Sequence, residues 1–415
     1  MSAKAKIGIL SLGCPRNLVD SESVLGRLDL KGYLITDIDK ADIAIVNTCA
    51  FIEDAKRESI DAILDLIELK KAGSLKKIIV YGCLAQRYKE ELRDKLPEVD
   101  AFVGKLSLNH ELKRFPITPK HFAYLKICEG CINNCSFCII PKIKGRFKSL
   151  DRESIIRKVQ EFDKQKVSEL NIIGQDITGY GIDLDGKTNL PEILKEIVKK
   201  ADNIGWIRLL YLNPGRISDE LLRIVRDSQK LCKYMDLPVQ HINNRILKLM
   251  NRNTTRSDIF STIERVRKAV PGVGLRTSII VGFPSETDRE FKELLDFVKE
   301  ARFERLGAFV YSREEGTGAY DLAGQVPKET KTARFNAIMS AQQNISREIN
   351  KSFLGKELEV LIDESVEGDY LGRSQYDAPE VDGQVFVKAQ KILKPGDFVK
   401  VRITDTLEYD LVGEA

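Results

Sequence analysis

The sequence predicts an α/β protein built in three parts: a parallel-sheet α/β domain, a partial (β/α) barrel and a small all-β barrel. Three observations predict it. Short buried apolar runs alternate with helix-period stretches through the first hundred residues, as in a parallel sheet covered by helices. A longer run of the same alternation follows, of the size of a full or partial barrel. From Ser352 onward the pattern changes to short alternating strands with polar, glycine-containing turns. The predicted domains are 1–116, 117–351 and 352–415, with the prolines of Phe115–Pro119 punctuating the first boundary.

In the first part the predicted strands are Lys6–Leu12, Asp42–Asn47 and Lys77–Tyr81, with a helix over Asp54–Lys71. In the second the strands are Glu169–Ile173, Trp206–Leu212, Tyr234–Val239, Gly274–Val281 and Arg305–Tyr311. The helices between them are Arg152–Lys166, Leu190–Ala201, Asp219–Ser228, Thr255–Val270 and Thr287–Ala301. Gln325–Lys351 reads as a further helix. The strands of the third part are Leu358–Ile362, Gln384–Val387 and Phe398–Ile403.

The 415 residues exceed one ordinary core, and 43% hydrophobic with 31% charged residues is normal for a soluble protein. A net charge of +4 does not by itself argue for nucleic acid. The opening Met-Ser-Ala-Lys-Ala-Lys carries no apolar run, and no stretch approaches a membrane span, so the expected location is cytoplasmic. In that reducing compartment the eight cysteines are read as metal ligands, catalytic groups or core filler rather than disulfides. Nothing in the sequence calls for more than a monomer.

Two cysteine sets stand out. Cys131, Cys135 and Cys138 put three thiols within eight residues, a loop able to ligate three irons of a cubane and leave the fourth open. A zinc site completed by Cys128 is the competing reading. Cys14, Cys49 and Cys83 each stand just past a predicted strand, and ligands of such sheets bind beyond the carboxyl ends of the strands. For any one of them, a small buried hydrophobe is the plain alternative. Cys232 reads as core.

The CxxxCxxC spacing with Phe137 before its last cysteine resembles the radical S-adenosylmethionine superfamily. Gly13-Cys14-Pro15-Arg16-Asn17 with Asp20-Ser21-Glu22, Asn47-Thr48-Cys49-Ala50-Phe51 and Gly82-Cys83-Leu84-Ala85-Gln86-Arg87 resemble its methylthiotransferases. The terminal β-barrel resembles their TRAM domain. Gln175-Asp176, Arg373 and Ala378-Pro379-Glu380-Val381-Asp382-Gly383 are most similar to the branch that methylthiolates an aspartate of ribosomal protein uS12. Arg16 stands where that branch often has lysine, and Cys128 where serine is usual.

The resemblance implies two [4Fe–4S] clusters, one on each cysteine set, and S-adenosylmethionine as cofactor. One S-adenosylmethionine would methylate a sulfur held at the first set. A second would be cleaved at the other, and its radical would take hydrogen from the aspartate β-carbon. The resemblance also favours Phe137, Gln175, Gln240, Arg276 and Gly282 as S-adenosylmethionine contacts. Gly282 would allow close backbone approach to adenine, and His241 is a candidate for proton transfer or a hydrogen-bonded structural residue. The electron donor and sulfur donor are not indicated.

Relatives that methylthiolate tRNA adenosine share both cysteine sets, so that substrate is the alternative. A non-catalytic iron–sulfur or zinc protein is the rival from another class. Charge bears on the choice of substrate. From Ser352 to the end there are fourteen acidic and seven basic side chains, a net −7, and the rest of the chain carries +11. An acidic module suits a basic protein better than a phosphate backbone. Lys142, Lys144, Arg146 and Lys148, just after the cysteine loop, read by default as a solvated face.

Overall fold

A computed structural model of the chain describes residues 5–104 and 114–415; the first four residues of the amino terminus discussed above lie outside them. The chain packs as two compact units. One comprises the chain up to Thr118 with Glu129–Leu150 and Ser312–Tyr320; the other comprises Pro119–Cys128, Asp151–Tyr311 and Asp321–Ala415.

The first unit is built on a five-stranded parallel sheet: β1 (Lys6–Ser11), β2 (Leu34–Ile35), β3 (Ile43–Thr48), β4 (Lys77–Gly82) and β5 (Ala101–Val103), in the order β2-β1-β3-β4-β5. The central β3 is apolar except at its end, where Asn47 and Thr48 emerge toward the site. Helices α1 (Pro15–Leu30), α2 (Glu53–Lys71) and α3 (Cys83–Lys95) connect the strands. Pro15 sits at the first turn of α1, where its missing N–H and fixed φ cost nothing. The cysteine loop belongs to this unit. It lies between the short strands β7 (Cys128–Glu129) and β8 (Lys148–Ser149), after β6 (Phe122–Lys126), and ends in the one-turn helix α4 (Ile140–Lys144). Ile139 and Ile143 are buried in the same core as Ala44, Val46, Ile78, Val80 and Leu84, which anchors the loop to the sheet.

The second unit begins with β6, which enters a six-stranded parallel sheet with β9 (Glu169–Ile173), β10 (Trp206–Leu209), β11 (Leu231–Asp236), β12 (Gly274–Val281) and β13 (Arg305–Val310). The order is β13-β12-β11-β10-β9-β6, an open partial barrel. The helices are α5 (Arg152–Lys164), α6 (Ile182–Asp185), α7 (Leu190–Lys200), α8 (Asp219–Asp227), α9 (Asn244–Leu249), α10 (Arg256–Ala269), α11 (Asp288–Ala301) and α12 (Lys328–Lys351). Thr255 with Asp258 and Thr287 with Glu290 form capping boxes, which set the starts of α10 and α11.

A closed five-stranded barrel completes this unit: β14 (Glu357–Val366), β15 (Asp369–Ser374), β16 (Val385–Lys388), β17 (Phe398–Thr406) and β18 (Leu411–Glu414), ordered β14-β15-β16-β18-β17. Val360, Ile362, Val385, Val387, Val399, Val401, Ile403 and Leu411 fill it. All three predicted architectures are present. Among the described residues no helix is long and apolar enough to cross a membrane.

Two differences from the sequence reading have physical causes. The third predicted barrel strand, Tyr234–Val239, lies three residues earlier, at Leu231–Asp236. Pro238 cannot donate to a ladder, and Lys233 turns out of the strand to cap carbonyls at the end of α8, reaching Val225, Arg226 (2.8 Å) and Ser228 (2.8 Å). The edge strand β6 has no counterpart among the predicted strands; it is a five-residue run that ends in a buried Lys126.

Charged side chains from the barrel strands join the two barrels. Arg208 and Glu169, both fully buried, pair at 2.8 Å, and Arg373 of β15 lies 2.6 Å from the other Glu169 oxygen. Arg373 also holds Asp363 (2.8 Å), which receives His121 at 2.8 Å. The β15–β16 loop inserts Asp377 against Arg305 (3.0 Å), and Asp382 against Tyr234 (2.6 Å) and Arg276 (3.2 Å).

Candidate metal centre

Cys14, Cys49 and Cys83 follow β1, β3 and β4, the three adjacent central strands, so the topology brings them to one sheet edge. Cys14 caps α1 in extended conformation, and Cys83 opens α3. Gly13 has φ +88°, and a Cβ there would lie 2.7 Å from Cys49 Cβ and 3.0 Å from its Sγ, so the turn before Cys14 rests directly on Cys49. Gly82 has φ +100°, and a Cβ would come within 2.4 Å of Asn47 Oδ1.

Asparagines lace these turns together. Asn17 Nδ2 donates to the carbonyls of Leu12 (3.1 Å) and Thr48 (3.2 Å), while its Oδ1 faces the Cys83 thiol at 3.8 Å. Asn47 Nδ2 donates to Asn17 O (2.7 Å) and Ser21 Oγ (2.9 Å). Ser59 of α2 closes a ring with the Cys49 backbone, accepting from its N–H at 3.1 Å and donating to its carbonyl at 2.9 Å. The motif residues quoted above from the sequence are thus the scaffold that presents three sulfurs.

The second set lies in the same unit. The backbone N–H and side-chain amide of Asn133 both donate to Cys131 Sγ at 3.4 Å, and the Cys138 N–H donates to the Cys135 carbonyl at 3.1 Å. Segment Ser312–Tyr320 clamps the loop: Ala319 N–H donates to Ser136 O at 2.7 Å. Its Glu314, 1% exposed in the side chain, pairs with Arg87 (2.9 Å) and Lys56 (3.1 Å), four residues beyond Cys83 and in α2 respectively. No local pattern marks Glu314 as part of this site, because its partners lie more than two hundred residues away.

Electrostatics distinguish the thiols. Burial raises the Cys14 pKa, but the Arg16 guanidinium, with Nε 3.4 Å from the sulfur, together with the backbone N–H groups of Asn17 and Arg16 outweighs it and brings the thiol below its usual value. Burial pushes Cys83 and Cys138 up to about 12 and raises Cys49. As free thiols these stay protonated, and a bound cation would be what holds them as thiolates. Among the described residues no three Cys, His, Asp or Glu side chains gather at single-ion spacing. A cubane spreads its thiolates over separate irons, and two sets of three thiols on anchored turns fit that group. Cys128 packs in the second unit, buried against Gly174 with its thiol 3.7 Å from Asp176 O, and Cys232 is buried in β11.

The chain is matched over residues 6–104 by a family model described as uncharacterized protein family UPF0004. Residues 125–298 match the radical SAM superfamily and residues 354–415 the TRAM domain. It is 48% identical to the ribosomal protein uS12 methylthiotransferase RimO of Clostridioides difficile (strain 630), over 99% of this chain and 98% of that one. The chain belongs to the RimO family of radical S-adenosylmethionine methylthiotransferases. The protein of the same name from Thermoanaerobacter sp. (strain X514) is also 48% identical, over 98% of this chain and 99% of its own. Among solved structures, the radical S-adenosylmethionine methyltransferase TsrM from Kitasatospora setae shares the fold, with a TM-score of 0.53 at 11% identity over 88% of this chain and 80% of that one. As a member of its family this methylthiotransferase is a sulfur-group transferase with an iron–sulfur cluster and S-adenosylmethionine as cofactors.

The five residues expected at S-adenosylmethionine are placed as follows. Phe137 lies on the cysteine loop, half-buried. Gln175 follows β9, and its Oε1 is buried without a hydrogen-bond partner. Gln240, at φ +71°, continues β11 beside β12, its N–H donating to Ser278 O and its carbonyl accepting from Ile280 N–H. Arg276, third in β12, is held by Asp236 (3.5 Å) and Asp382 (3.2 Å). Gly282 does receive a close approach, from the Lys331 stem, whose Cγ would lie 2.3 Å from an added Cβ. Glu286 fixes that turn by accepting from the N–H groups of Gly282 (2.9 Å) and Phe283 (3.3 Å), and Arg334 of α12 holds Glu286 at 2.9 Å.

His241 is fully buried beside this turn. Its Nδ1 accepts from Asn243 N–H at 3.0 Å, so Nε2 carries the proton, 3.7 Å from Glu286. Burial depresses its pKa to about 3. A depressed histidine keeps its full contribution above the unfolded pKa and loses it as pH falls from about 6.5 toward 3, by about 1.4 kcal/mol per pH unit. Urea midpoints should therefore fall more steeply between pH 6.5 and 5 in the native chain than in His241→Gln. Parallel profiles would show that His241 is not held neutral.

Proposed function

We propose that this methylthiotransferase adds a methylthio group to the β-carbon of an aspartate in ribosomal protein uS12, using two [4Fe–4S] clusters. The observation that carries the reading is the placement of both cysteine sets in one compact unit, on turns built from the residues that flank them. Cys131, Cys135 and Cys138 would hold the cluster that engages S-adenosylmethionine, and Cys14, Cys49 and Cys83 the one that carries the transferred sulfur. When bound, the cofactors supply the electron, the adenosyl radical and the methylthio group.

The chain's own residues do the rest. Arg16 favours the thiolate form of Cys14, Asn133 orients Cys131, and Glu314 with Arg87 fixes the clamp behind the loop. Phe137, Gln175, Gln240 and Gly282 are the candidate S-adenosylmethionine contacts, and the unpaired Gln175 Oε1 offers an acceptor. Arg276, already paired twice, would bear on the cofactor only through Asp236, whose Oδ2 accepts from Tyr211 N–H at 2.9 Å.

The acidic carboxyl-terminal module favours a basic protein over RNA. Glu357, Asp363, Asp377, Asp382 and Glu408, with Arg373 and Lys400, are engaged in internal ion pairs; the nine acids and five bases that remain still leave −4. A deletion strain should lose the methylthio mass increment on uS12 and regain it with the native gene. Unmodified tRNA together with unchanged uS12 in that strain would move the substrate to tRNA adenosine.

A further inference from the structure

The basic run after the cysteine loop is not uniformly solvated. Lys142, Arg146 and Lys148 are exposed, whereas Lys144, the last residue of α4, is buried. Its ammonium lies 2.9 Å from Asp20 and 3.4 Å from Glu129. Asp20 belongs to α1, the helix that Cys14 caps. Glu129 stands two residues ahead of Cys131. The residue after Asp20, Ser21, accepts from Tyr81 Oη (3.2 Å) two positions before Cys83, and from Asn47 Nδ2 (2.9 Å) two positions before Cys49. One cation thus closes the base of the second cysteine loop and fastens it to the polar web under all three turns of the first set.

A buried ion pair is seldom the most stabilising solution for its volume; in some proteins what it secures is one arrangement rather than several. We propose that Lys144 is a positioning residue that holds the two cysteine sets at a fixed separation, so that a sulfur group at one can reach a substrate radical generated at the other. The inference rests on the two-cluster reading given above. Transfer between two centres is sensitive to displacement, and an error of about 1 Å can cost about a hundredfold. Cleavage of S-adenosylmethionine needs only the second set, so losing the tether should uncouple the two events rather than stop both.

The test uses the full chain with Lys144→Met and Lys144→Arg. In the metal-free proteins, hydrogen exchange over 131–145 should rise in Lys144→Met and return toward native in Lys144→Arg. After reconstitution Lys144→Met should keep the native iron content and form 5′-deoxyadenosine, while methylthiolated product falls by about tenfold to a hundredfold. Pulsed paramagnetic resonance should show a broadened distance between the two reduced clusters. Asp20→Asn, which leaves Glu129 as partner, should give a weaker form of the same pattern and serves if Lys144→Met does not fold. Native exchange, native distance and a native ratio of deoxyadenosine to product in the variants would overturn the proposal. If the native chain itself reconstitutes only one cluster, the two-cluster reading fails, and the exchange comparison still decides whether Lys144 is the tether.

Discussion

Under the proposed assignment, Cys131→Ala is expected to abolish 5′-deoxyadenosine formation, by at least about a thousandfold, because a cofactor held at that loop would supply the hard chemistry. Cys83→Ala is expected to leave that reaction running and to stop methylthio transfer alone. Each variant should retain about four of about eight irons after anaerobic reconstitution. The contrast follows from how the two sets are built. Cys131 is half-exposed on a loop tied down by Ile139, Ile143 and the Ser312–Tyr320 clamp, so removing its sulfur leaves the anchors intact. Cys83 is buried, and its loss opens space beside Asn17, at a stability cost of about 1–2 kcal/mol. Iron, sulfide and deoxyadenosine measured on the same preparations decide the matter. Native iron content in Cys83→Ala would sink the first cluster, and deoxyadenosine formation by Cys131→Ala would sink the assignment of the second.

Much of this site was legible in the sequence because its signals are local. Three βα turns each end in a cysteine, and strand–helix alternation places such turns at one sheet edge whatever the rest of the chain does. The CxxxCxxC spacing is likewise contained in eight residues. The supports were legible only as letters. Asn17 and Asn47 could be quoted as motif residues, but that they bind each other's turns depends on the β1–β3 register pairing Ser11 with Asn47. Lys144 sat in a run of like charges, where a solvated face is the usual outcome; its burial depends on Asp20, more than a hundred residues earlier. Arg276 shows the opposite case. Its position in a barrel strand is correct, yet its side chain is committed to Asp382, on a loop of the other barrel that no local pattern could place. Part of the negative charge that argued for a basic partner is consumed in that same junction.

That junction carries the largest expected effect on stability. Glu169→Gln should destabilise the protein by about 3–5 kcal/mol, because it removes the one carboxylate between two buried guanidinium groups. Arg373 keeps Asp363, but Arg208, with no exposed surface, is left with only the carbonyls of Gln375 (2.7 Å) and Ser374 (3.5 Å). An unpaired cation inside a barrel is far more costly than a lost surface pair such as Lys40–Asp37, whose removal should leave stability nearly unchanged. The two results also separate charge from packing. If the cost arises from the orphaned guanidinium, Glu169→Gln combined with Arg208→Met should recover most of it, since replacing both partners removes the uncompensated charge. A double variant no more stable than Glu169→Gln would instead mean that Arg208 acts through its packing on Tyr234, whose ring centroid lies 4.9 Å from the guanidinium. Urea unfolding of the three chains distinguishes these cases. It also shows whether the terminal barrel, joined through Arg373, unfolds together with the larger one or separates from it once Glu169 is gone.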